Sequence, residues 1–94
     1  MSTREIKKGQ LVKSRAGRDK DQVYLIFDWD QEYIYVVDGD IRRIQNPKKK
    51  NIRHLWYTDK VADKIRERLE SGSKVTNADI REALESLMAG VDME

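Results

Sequence analysis

The hydrophobic positions of this chain change period near residue 58. Before it they come in short runs, Gln10-Leu11-Val12-Lys13-Ser14-Arg15, then residues 22–29, then Tyr33-Ile34-Tyr35-Val36-Val37, the last two runs dominated by β-branched and aromatic residues. Side chains of that shape fit a pleated, half-buried surface, so the runs predict strands. Asp30-Gln31-Glu32 reads as a short polar hairpin loop, and Asp38-Gly39 is a hairpin-turn signal feeding a fourth strand over residues 41–44. Asn46-Pro47 breaks that strand, and a fifth is predicted over residues 52–57. Short strands joined by tight turns predict a small five-stranded antiparallel barrel.

The second and third strands are apolar on both parities. In the second, Val23, Leu25, Phe27 and Trp29 fall on one face, with Tyr24 and Ile26 on the other. A sheet apolar on both faces needs two covers, and the barrel interior supplies only one. The other cover is expected from residues 58–90, where the period becomes helical. Thr58 is a candidate N-cap for a first helix carrying Val61, Ala62, Ile65 and Leu69, which stops at Ser71-Gly72. Thr76 with Asp79 forms an acidic capping-box variant for a second helix, whose stripe is Ile80, Ala83, Leu84, Leu87 and Met88 up to Ala89-Gly90. That stripe reads either as core packing or as a partner-binding face. The fold class is therefore mainly β with C-terminal α: residues 1–8 a flexible N-terminus, 9–57 the barrel, and 58–90 two short helices packed on it.

Charge refines this picture. The chain has 94 residues, 38% hydrophobic and 38% charged, which gives room for one compact domain with a small core. Its net charge of +2 hides an asymmetry: residues 1–57 hold 13 Lys and Arg against 8 Asp and Glu, whereas residues 58–94 hold 6 against 9. The basic surface belongs to the strand-rich half, where a polyanion would bind. There are no cysteines, which excludes disulfides and thiolate metal sites. No run approaches a membrane span and the first ten residues lack the apolar core of a signal peptide, so a cytoplasmic protein is expected.

The cations concentrate in two segments that read as turns. Around Gly17, which permits a positive φ, stand Lys13, Arg15, Arg18 and Lys20. After Pro47 come Lys48, Lys49 and Lys50, with Arg53 and His54 following. Guanidinium forks and backbone N–H groups converging at an ordered turn suit phosphates. Lysines in such a run position a backbone without reading bases, unless they are simply a solvated charge run. Arg42 and Arg43 alternate across the expected fourth strand, so only one, Arg42, is assigned to this surface. Trp56, beside Arg53 and His54, is the candidate to stack on an unpaired base, with Tyr57 next to it. No catalytic residue emerges. His54 is the only histidine and sits among cations, Gly17 is isolated from any glycine-rich loop, and Asp28, Asp30 and Glu32 lack calcium-loop spacing. Neither a metal nor a cofactor is expected.

The run from Gly9 through Gly17 to Lys20, followed by the apolar strand from Val23, resembles the KOW motif, in which alternating apolar and basic residues surround a central glycine. Val36-Val37-Asp38-Gly39-Asp40 and Pro47-Lys48-Lys49-Lys50-Asn51-Ile52-Arg53-His54-Leu55 resemble short bacterial KOW-domain RNA-binding proteins, relatives of the archaeal and eukaryotic large-subunit ribosomal protein fourteen-e family. The resemblance implies an SH3-like barrel, no catalysis, and ribosomal or other structured RNA as ligand; ribosomal proteins are expected as further partners, and the isolated chain is expected to be a monomer. It also implies RNA contact by the loop after the first strand, that is by Arg15, Gly17, Arg18 and Lys20. Trp56-Tyr57 departs from the family pattern. A protein-interaction module using the exposed aromatics or the last helix is the alternative.

Overall fold

The structure, a computed structural model, describes residues 6–89. Its strands are β1 Gln10–Ser14, β2 Val23–Trp29, β3 Tyr33–Val37, β4 Lys48–Asn51 and β5 Leu55–Val61. They form one sheet in the order β4-β3-β2-β1-β5, every neighbouring pair antiparallel. A 3-10 turn, Ile52–His54, joins β4 to β5, and two helices follow, α1 Asp63–Ser71 and α2 Asn77–Ala89. Among the described residues no helix is long and apolar enough to cross a membrane.

Both faces of the sheet are buried, as the double parity of β2 requires. Val12, Tyr24, Ile26, Ile34, Val36 and Leu55 form one cluster, the inner one, on one face, with Ile6, Ile52 and Tyr57 packed against it. Leu11, Leu25 and Val37 on the other face meet Ile65, Val75, Ile80 and Leu84 from the helical half. Removing such side chains from water stabilises the fold by about 1.5–3 kcal/mol each. Ile80 and Leu84 are thus core residues, and Leu87 and Met88 pack half-buried against the same cluster. The C-terminal stripe is spent on the sheet.

Trp29 does not follow Leu25 and Phe27 onto the helix-covered face. The β2–β3 register slips between Ile26 and Asp28, an extra residue that reverses the parity beyond it. Trp29 is thereby paired with Ile34 of the inner cluster, and at the end of β2 it remains 39% exposed.

Two expected elements between residues 38 and 51 are corrected. Residues 41–44 are not a strand but part of a loop from 38 to 47. Its polar groups are satisfied locally: Asp38 Oδ1 accepts from the Asp40 and Arg42 N–H groups at 2.9 and 2.8 Å. The loop is then clamped by α2, where Asn77 Oδ1 accepts from the Ile44 N–H at 2.8 Å and Arg81 donates to the Gly39 carbonyl at 2.6 Å. Gly39, with φ 79°, sits so close to the Asn77 carbonyl and Arg81 that no side chain fits there. The lysine-rich segment expected as a turn is instead the edge strand β4, with Lys48, Lys49 and Lys50 opposite Val36, Tyr35 and Ile34.

Thr58 likewise caps no helix. It lies within β5, which runs on to Val61, and its hydroxyl donates to the Leu11 carbonyl at 2.7 Å. Helix α1 starts after Ala62 without a side-chain cap and ends at Gly72, whose φ of 78° makes a left-handed cap. The capping box of α2 is present as expected: the Asp79 N–H donates to Thr76 Oγ1 and the Thr76 N–H to Asp79 Oδ2. Arg68 of α1 reaches the same carboxylate at 3.1 Å, pinning the two helices together. The expected stop of α2 at Gly90 and residues 1–5 of the expected flexible N-terminus lie outside the described residues.

Candidate nucleic-acid interface

The β1–β2 turn is built by local chemistry. Gly17 has φ 90°, a left-handed conformation that favours glycine, and its carbonyl accepts from the Lys20 N–H at 3.3 Å. Beneath it Asp19 is turned inward, which the sequence reading missed. Its carboxylate accepts from Ser14 Oγ at 2.9 Å, Tyr24 Oη at 2.7 Å and Lys50 Nζ at 3.1 Å, with Lys48 Nζ at 3.5 Å. Burial alone would push the Asp19 carboxyl up. The hydrogen bonds from Tyr24, Lys50 and Ser14, with the Lys50 charge, outweigh it and hold the group well below the usual carboxylate range. Burial and the same hydrogen bond push the Tyr24 phenol upward.

This arrangement divides the lysine run. Lys50, expected to point outward to phosphates, is buried, and its ammonium also donates to the Ala16 carbonyl at 3.1 Å. It is a tie between β4 and the turn. Lys48 is half-buried against Asp19. Strand alternation turns only Lys49 fully outward, where its ammonium lies 4.4 Å from the centre of the Tyr33 ring.

Around the turn the other cations remain at the surface. Arg15, Arg18 and Lys20 are exposed, as are Arg53 and His54 on the 3-10 turn. One bond brings these segments together, the Arg15 N–H donating to the His54 carbonyl at 2.9 Å, while Asn51 Oδ1 caps the 3-10 turn by accepting from the Arg53 N–H at 2.9 Å. Lys13 pairs directly with Trp56 across the β1–β5 ladder. The Trp56 ring, 44% exposed, has the Lys13 ammonium 5.7 Å and the Arg15 guanidinium 5.5 Å from its centre. Lys13 also approaches Asp21 at 3.7 Å.

The remaining candidates fall elsewhere. Arg42 is half-buried in the β3–β4 loop, where its N–H donates to Asp38 Oδ1. The Tyr57 hydroxyl donates to the Ile52 carbonyl at 2.7 Å and the ring borders the inner core, so Tyr57 is a core residue. The acidic hairpin serves its own turn: Asp30 accepts from the Tyr35 hydroxyl and from the Tyr33 and Glu32 N–H groups, which together lower its carboxyl from the usual value. Among the described residues no group of acidic or histidine side chains is arranged to hold a metal ion.

The turn thus presents exposed cations on a rigid base, with an aromatic ring between two of them. Such a surface is suited to a phosphate chain and a flat ring. Compared with protein-family models and with curated proteins, the chain matches none.

Proposed function

We propose that this chain is a noncatalytic RNA-binding module of the KOW type, built on an SH3-like barrel. The barrel reading is supported by the second core cluster, drawn from β1, β2, β3 and β5 on one face of the sheet, and by Lys50 of edge strand β4 reaching the Ala16 carbonyl in the β1–β2 turn. Its ligand is ribosomal or other structured RNA, bound at the β1–β2 turn. Arg15, Arg18 and Lys20 hold phosphates there, joined by Arg53 and His54 from the 3-10 turn and by Lys13 beside Trp56. Lys49 adds affinity from the neighbouring strand, whereas Lys50 acts through Asp19 to hold the turn in shape. The single observation carrying this reading is the half-open Trp56 ring flanked by two cations at the base of the glycine turn.

The test is ultraviolet crosslinking in cells, sequencing of the bound RNA, and a ribosome sedimentation profile of the same lysate. The reading expects enriched structured RNA and co-sedimentation with ribosomes or their precursors. RNA recovery no greater than that of an Arg15→Glu/Arg18→Glu variant of equal abundance would overturn it.

A further inference from the structure

Building on that reading, we infer that Trp56 is the stacking platform for one unpaired base, so that the chain selects RNA containing unpaired nucleotides over continuous duplex. Three observations converge on this. The indole is 44% exposed on a strand whose neighbours Leu55 and Tyr57 face the inner core, so its exposure is set by strand alternation. Lys13, its direct cross-strand partner, and Arg15, two residues further along the chain from Lys13, lie over the ring, so a stacking base takes the place of one of these cations. Lys13 lies in β1 and Arg15 is the first residue beyond its end, so the two cations reach the ring from successive positions on the same side of the chain.

A nucleotide stacked on Trp56 therefore places its two flanking phosphates beside Lys13 and Arg15. The cation displaced from the ring stays within reach of the adjoining phosphate. The acidic group bordering this site is Asp21, already approached by Lys13, and it disfavours a second phosphate on that side. In a continuous A-form helix the base faces are occupied by their neighbours, so a duplex offers phosphates to the cations and nothing to the ring. Selectivity arises from that difference.

The experiment compares three RNAs of equal phosphate number: an unstructured strand, a hairpin with an unpaired loop, and a blunt duplex. Trp29→Phe serves as background, so that emission reports Trp56 alone. The strand and hairpin should quench Trp56 and bind more tightly than the duplex. Trp56→Ala should weaken both about 5- to 100-fold and leave duplex affinity unchanged, with Trp56→Phe intermediate. Equal affinities for all three RNAs, or a Trp56→Ala variant that binds the strand as tightly as its parent, would overturn the platform. If Arg18→Glu still weakens binding in that case, RNA binding itself stands. If no RNA binds at low salt, both fail.

Discussion

Replacing Asp19 by asparagine tests how the turn is held. The substitution keeps a side chain of the same shape but removes the charge that faces Lys50 at 3.1 Å and Lys48 at 3.5 Å. Breaking a buried ion pair by neutralising one partner costs about 3–5 kcal/mol, because the other charge stays desolvated. The Asp19 and Lys50 side chains retain 13% and 7% exposure, which places the cost at the lower end, about 3 kcal/mol. In a domain this small that is a melting-temperature drop of roughly 12–24 °C.

The pH dependence follows from the lowered carboxyl. The unfolded chain takes up the proton near the ordinary value of 3.8, before the folded chain does, so the stabilisation is complete above that pH and shrinks as pH falls below it. Urea denaturation of the parent and the Asp19→Asn variant at several pH values between 7 and 2 measures this. The two proteins should differ most at neutral pH and converge in acid. Adding Lys50→Met to Asp19→Asn removes the stranded ammonium and should recover part of the loss. A cost below about 1 kcal/mol at pH 7, the size of a surface pair, would refute the reasoning.

Three further outcomes are expected. Gly39→Ala should destabilise the domain by at least about 2 kcal/mol in denaturant titrations, combining left-handed strain with the contact to Asn77 and Arg81. Thr76→Ala, which removes the α2 cap, should cost about 1 kcal/mol by the same measurement. Lys49→Gln should leave melting unchanged and make the salt slope of RNA binding shallower by about 0.7, whereas Lys50→Gln should lower the melting temperature. Reversing all three lysines together would confound these two effects.

Much of the architecture was legible because it rests on local patterns. The strand over Tyr33–Val37, the two-faced β2 and the Thr76–Asp79 box each follow from residue order over a few positions. What failed depended on distant partners. Residues 41–44 have strand-like spacing, yet Asp38 wraps their backbone and Asn77, 33 residues from Ile44, pins it. Lysines in a row look solvated, and only the Asp19 carboxylate, 31 residues from Lys50, makes one of them a buried tie. Thr58 resembles a cap until β1 offers it the Leu11 carbonyl. In the interface, Gly17 and its cations were visible from composition and turn chemistry. The Lys13–Trp56 pairing came only with the β1–β5 register.

The claim that the glycine turn binds RNA is tested most directly by titrating a structured RNA across a range of salt concentrations with the parent and an Arg15→Glu/Arg18→Glu variant. With Lys13, Arg15, Arg18, Lys20, Lys49 and Arg53 on phosphates, the parent's log-log slope should be about −4 where the contacted RNA is unpaired, at about −0.7 per contact. The variant should keep its melting temperature, bind much more weakly and show a markedly shallower slope. Equal affinity and slope for the two proteins would contradict the account.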